Sequence, residues 1–294
     1  MLITSTERDV KPIQLRLPGV ASARCNWWSI HNSGRCEMPT RGKSVTIPAR
    51  DFYGSRMRCL LLTHQPTAVV ARRLTELVEP FALVDPDRDH WAPVGFSDPE
   101  EIELGKAGNF LTDEQRQILT DWWLAVPRGA RTPTWDIVSS CTVDGVPGLM
   151  LVEAKAHIAE MDFGGKRVPD SPNGLKNHSK VEAAVVNSSQ DLNAILPGFS
   201  LSIDSHYQLC NRFAWSWKLA SMGVPVVLVY LGFLNADDMA YGGREIFESS
   251  SAWESAVHNY ADGIVPGPAW ERSLDVAGTP VIPLIRSMDM RWLS

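Results

Sequence analysis

Apolar and polar positions along the chain fall into stretches of different period. In "TAVVARRLTELVEPF", Val69, Val70, Leu74, Leu77 and Val78 recur at helical spacing until Pro80 ends the pattern. "LTDEQRQILTDWWLAV" predicts a second helix, with Thr112 as its cap, acids in its first turn, and Ile118, Leu119, Trp122 and Trp123 on one face. A third helix is expected near 180–195. A fourth is expected in "SHYQLCNRFAWSWKLASMG", closed by Gly223. The run 224–234 is apolar without alternation, as in a strand covered on both faces. "SSAWESAVHNYA" and "TPVIPLIRSM" add a helix and a strand. Residues 85–109 read as loop, 161–180 as a long polar segment, and 20–60 give no clear period. The order of helix, strands, helix and strand predicts an α/β fold with a mixed sheet flanked by helices.

Between the second and third helices lies "TWDIVSSCTVDGVPGLMLVEAKAH", in which β-branched residues surround Asp144-Gly145, a strong hairpin signal. A two-residue turn would set Asp136 opposite Glu153, and a four-residue turn would set it opposite Lys155. Either register leaves Asp136, Glu153 and Lys155 on one face, which they share with Leu149 and Leu151. Two carboxylates this close repel, and burying them unpaired is costly, so a cation should lie with them. Lys155 is one such cation. The other is a divalent ion such as Mg²⁺, which takes few hard oxygen ligands and shares its remaining positions with water and phosphate.

"WDIV" at 135–138 followed by "LVEAKAH" at 151–157 resembles the D…ExK signature of the PD-(D/E)xK nuclease superfamily, the restriction-endonuclease-like fold. The resemblance spans about residues 110–234. It implies a core of helix, three antiparallel strands, helix and strand, with N-terminal and C-terminal elaborations around it. It also implies Asp136 and Glu153 as Mg²⁺ ligands, with Mn²⁺ as a substitute, the Ala154 carbonyl as a further ligand, and Lys155 as the catalytic lysine acting on the attacking water. An additional acid from the helix before the hairpin would be Glu114, with Asp121 behind it. A Gln or basic residue on the later helix would be Gln208 or Arg212, four apart and so on one side. Arg212 and His157 are the candidate substrate contacts, and Gln208 the candidate water contact. The roughly 50 residues between Lys155 and the helix at 205 exceed a minimal core and suggest an inserted lid or substrate loop.

Composition refines this picture. The 294 residues, 44% of them hydrophobic, suffice for one large domain, read as a basic segment 1–60 and a single domain 61–294. The net charge of −6 argues against a protein that merely coats nucleic acid. It is unevenly spread, because residues 1–60 hold ten basic against four acidic groups and the other 234 hold 18 against 30. The longest apolar run, 12 residues, is too short to span a membrane, and the five cysteines suggest no disulfide framework. With no leader-like start, a cytoplasmic protein is expected. Cys25, His31, Cys36 and Cys59 lack the paired spacing of a zinc site. The charge run Lys166, Arg167, Lys176, His178 and Lys180 reads as solvated, with phosphate-backbone contact as the alternative. Trp122, Trp123, Trp215 and Trp217 read as packing.

The expectation is therefore a metal-dependent nuclease, DNA ahead of RNA as substrate. The alternatives are a catalytically inactive nucleic-acid- or protein-binding module of the same fold, and an ion-pair cluster in an unrelated α/β protein.

Overall fold

The computed structural model describes residues 53–106, 108–240 and 243–289, together with the backbone of two further strands. Those strands, β1 (Arg35–Thr40) and β2 (Lys43–Pro48), pair antiparallel with each other. Most of the basic segment, with Cys25, His31 and the Cys36 side chain, lies outside the described residues. Its last residues enter α1 (Gly54–Thr63), which is followed by α2 (Thr67–Val78) as the apolar period predicts.

A seven-stranded mixed sheet organises the rest. In chain order its members are β3 (Ala82–Leu83), β4 (Trp91–Ala92), β7 (Ile137–Val143), β8 (Val146–Lys155), β9 (Val226–Leu234), β10 (Leu274–Val276) and β11 (Thr279–Asp289). In space they run β10-β11-β9-β8-β7-β3, with β4 also on β7. The pairs β8–β9 and β9–β11 are parallel, whereas β7–β8, β3–β7, β4–β7 and β10–β11 are antiparallel. β5 (Ile102–Glu103) pairs with β6 (Thr134–Trp135) beside this sheet.

Helices cover both faces. α3 (Asp113–Trp123), α4 (Pro172–Ile195), α5 (Tyr207–Ser221) and α6 (Ser250–Ala261) share one core with Leu149, Leu151, Val226, Leu228 and Tyr230 of the sheet. α1 and α2 share the other with Met150, Val152, Ala154, Val227, Val229 and Leu231. Successive residues of β8 and β9 thus enter opposite cores, which is why β9, with all nine residues buried, shows no polar alternation. Among the described residues no helix is long and apolar enough to cross a membrane.

Two expectations are corrected. The stretch 85–109 holds β4 and β5, strands of two residues each and too short to carry a period. The third helix starts at Pro172, well before 180, because the Ser171 hydroxyl accepts from Gly174 N–H and Pro172 sits in the first turn. The strand expected in "TPVIPLIRSM" is β11, which runs along the full length of β9 inside the sheet. The four tryptophans do pack together, the Trp122 ring centroid lying 5.1 Å from that of Trp123, 5.9 Å from that of Trp215 and 6.2 Å from that of Trp217.

Candidate active site

The turn of the β7–β8 hairpin decides where Asp136 goes. Val143 pairs with Val146 and Ile137 with Val152, the two-residue register. Asp144 and Gly145 both have positive φ, +48° and +81°, as a primed turn requires. The ladder stops at Ile137, because Thr134 and Trp135 leave to pair with β5. At this open end the Ala154 N–H donates to Asp136 Oδ2 at 2.7 Å. The carboxylate thus completes the hydrogen bonding of β8 where the neighbouring backbone departs.

Glu153 and Lys155 share the face of Leu149 and Leu151, the side covered by α5. That helix contributes Gln208 and Arg212 from adjacent turns. Lys155 Nζ donates to Glu153 Oε1 at 2.5 Å and to Gln208 Oε1 at 2.8 Å. Arg212 Nε donates to Glu153 Oε2 at 2.6 Å, and its NH2 group donates to the Thr134 carbonyl at 2.8 Å. The guanidinium lies 4.4 Å from the Trp135 ring centroid. Glu153 is 1% exposed, so both its oxygens are neutralised from within the protein. A cleft of about 290 Å³ opens over this group, walled by Asp136, Glu153, Ala154, Lys155, Gln208 and Arg212, and by Ser55, Glu101, Thr134 and Glu160.

The two carboxylates titrate in opposite directions. Burial and the neighbouring Glu153 push Asp136 up to about 7, against the pull of Lys155 and the Ala154 N–H. Burial also disfavours ionised Glu153, but Arg212 and Lys155 outweigh it and hold that carboxyl below its ordinary value. Lys155 is raised, since Glu153 and Asp136 overcome the effect of burial on its ammonium. The protein's own cations therefore serve Glu153, and Asp136 is left undercompensated.

Other predicted residues are placed elsewhere. Glu114 is exposed on the first turn of α3 and does not line the cleft. Asp121 is exposed too, accepting from Gln117 Nε2 at 2.9 Å. The reason is topological: β3 and β4 precede α3, so the helices at the head of the strand meander are α1 and α2. His157 is buried outside the cleft lining, with Nε2 3.6 Å from Glu160 Oε1, and burial lowers its pKa. Arg212 reaches the cleft but is committed to Glu153.

Two acids in the cleft were missed. Glu160 accepts from Ala156 N–H at 2.6 Å and from Ser55 N–H at 3.1 Å, fastening the start of α1 to the end of β8. Glu101 pairs with Arg56 at 3.0 Å. Neither carries a sequence signal, since Glu101 lies in what reads as loop and Glu160 in a single helical turn after β8.

Among the described residues no three or more His, Cys, Asp or Glu side chains form a ready-made metal cage. The donors nevertheless fit a hard cation that retains much of its water, because two carboxylates and the Ala154 segment meet at one wall and Asp136 lacks a full countercharge. Neither a family model, a curated protein nor a solved structure matches the chain, so its function is read from this geometry.

Proposed function

We propose that this chain is a metal-dependent nuclease of the restriction-endonuclease-like kind, hydrolysing phosphodiester bonds in nucleic acid, DNA ahead of RNA. The observation that carries the reading is the convergence of Asp136, Glu153, Lys155 and Gln208 on one cleft at the end of β8. The element order supports it: helices, an antiparallel meander of β3/β4, β7 and β8, then helices and β9 parallel to β8. The D…ExK resemblance implies a similar order, from which this chain departs by having α1 and α2 in the place expected of α3 and by carrying α3 between β4 and β7.

In this reading Asp136 and Glu153, with the Ala154 carbonyl, hold Mg²⁺ or Mn²⁺. Such an ion would supply acidification of a water and charge stabilisation at the phosphoryl group. To hold it, Glu153 would have to share an oxygen that now accepts from Lys155 or Arg212. Lys155 then orients the attacking water while Gln208 Oε1, its present acceptor, fixes the position of the ammonium. Arg212 maintains the ionised state of Glu153.

The test is incubation of single-stranded and duplex DNA and RNA with the wild type and Lys155→Ala, with and without MgCl₂ or MnCl₂. Metal-dependent cleavage by the wild type alone is expected. Full activity in Lys155→Ala, or cleavage indifferent to metal, overturns the assignment.

One observation favours a second reading, a nucleic-acid-binding module without catalysis: Lys155 and Arg212 already satisfy both Glu153 oxygens. Binding that is indifferent both to Mg²⁺ and to Glu153→Gln, without cleavage, would select it.

A further inference from the structure

The segment between β8 and α4 displays an aromatic ring. Phe163 is 55% exposed and Val168 61%, on a stretch that has no helix or strand from 162 to 169. A lone exposed apolar residue needs no explanation. Here, however, the displaying backbone is fastened at successive points. Tyr260 OH donates to the Asp162 carbonyl at 2.8 Å. His206 N–H donates to the Phe163 carbonyl and Tyr207 N–H to that of Gly164, each at 3.0 Å, and Lys166 N–H to Ile203 O at 2.7 Å. The approach is so close that a Cβ on Gly165 would stand 2.2 Å from the Asp204 carbonyl oxygen.

The ring itself is propped rather than covered. Its centroid lies 5.1 Å from that of His206 and 5.1 Å from that of Tyr260, at interplanar angles of 68° and 85°. Such edge-to-face contacts fix an aromatic ring while leaving surface for another partner. Lys166 and Arg167 follow in the same loop, with no carboxylate partner among the described residues, and Lys166 Nζ stands 4.6 Å from the Tyr207 ring centroid. Tyr207 is followed directly by Gln208, whose side chain enters the cleft.

A fixed, half-exposed aromatic with two cations following it, on a loop fastened to His206 and Tyr207 just before Gln208 enters the cleft, has the composition of a single-strand binder, where stacking supplies affinity and charge follows the backbone. A chain of net charge −6 is poorly suited to gripping a duplex by charge alone. We propose that Phe163, with Lys166 and Arg167, is a stacking platform for an unpaired base of the strand entering the Asp136–Glu153–Lys155 cleft. The substrate class is then single-stranded or locally unpaired nucleic acid, an inference that rests on reading the cleft as a nucleic-acid site. The charge run at 166–167 is thereby functional rather than merely solvated.

The test is fluorescence anisotropy in EDTA, with a labelled single-stranded DNA of about 15 nucleotides, near the upper site size of single-strand modules. The matching RNA and DNA duplex run in parallel, the RNA arm distinguishing the two kinds of strand. The wild type should bind a single strand more tightly than the duplex. Phe163→Ala should weaken single-strand binding about 5- to 100-fold, the range that stacking of one base supports, and Phe163→Trp should restore it. Lys166→Ala with Arg167→Ala should weaken binding and reduce its salt dependence. Unchanged affinity in Phe163→Ala, equal loss on duplex, or no binding of either strand by the wild type overturns the proposal. Phe163-dependent binding without metal-dependent cleavage would defeat the nuclease reading and leave the platform standing. Cleavage with unaltered affinity in Phe163→Ala would do the reverse.

Discussion

Arg212 and Lys155 hold the same buried carboxylate by opposite oxygens, Arg212 on Oε2 and Lys155 on Oε1 of Glu153. Their shared partner hides different functions. Arg212 also ties α5 to the Thr134 carbonyl and packs on Trp135, whereas the other partner of Lys155 among the described residues is Gln208 at the cleft. Arg212→Ala should therefore cost about 3–5 kcal/mol of stability, the usual penalty for breaking a buried pair. Lys155→Ala leaves Glu153 paired and should melt closer to the wild type, while losing about 10²- to 10⁴-fold in cleavage rate. Thermal denaturation beside initial rates separates the two; equal destabilisation with equal loss of activity would refute the division of labour.

Asp136 offers a pH test. Its carboxyl is raised to about 7 in the fold, so ionisation is harder there than in the unfolded chain. The folded state then binds more protons than the unfolded state between the ordinary carboxylate range and about 7, and stability falls as pH rises through that window. Asp136→Asn removes the titration. The difference in melting temperature, variant minus wild type, should grow more positive from pH 5 to pH 8 in EDTA. A constant difference across that range would contradict it.

Glu101 and Glu114 exchange their expected importance. Glu101 lines the cleft and its charge adds to the upward push on Asp136, whereas Glu114 is exposed on α3. Isothermal titration with Mn²⁺ should show weaker binding for Glu101→Gln and wild-type affinity for Glu114→Gln. A loss confined to Glu114→Gln would restore the sequence-based assignment.

Gly232 pairs with Lys155 on the β8–β9 ladder, and a Cβ there would lie 2.4 Å from the Trp253 ring. Gly232→Ala should cost about 1–3 kcal/mol, the usual penalty of overpacking. Shortening the neighbour in Gly232→Ala/Trp253→Leu should recover part of that cost relative to the sum of the single changes, which denaturant melts can measure. Strict additivity would mean that the ring is not the obstacle.

What the sequence made legible follows from the range of each signal. The hairpin carried its own turn chemistry, so the common face of Asp136, Glu153 and Lys155 could be derived from residues 136–155 alone, whereas the choice between the two registers needed the pairing of Val143 with Val146. Gln208 and Arg212 were found because four-residue spacing sets a helical face and the resemblance named the helix. Glu101, Glu160 and Ser55 were illegible because their place at the cleft depends on contacts between distant segments, such as Glu160 with Ser55 N–H. The same distance defeated Glu114: its helix was recognised correctly, but two-residue strands ahead of it altered which helix heads the meander.

The position of β11 has a consequence for how the protein is made. β9 is buried along its whole length, and one of its edges is satisfied only by β11, which begins 45 residues after β9 ends if counted from Leu234 to Thr279. During synthesis, an apolar strand with an open edge therefore waits for its partner, the situation in which strands recruit other chains. A chain ending before Thr279 would keep that edge of β9 open, on the strand that also pairs with β8 beside the cleft.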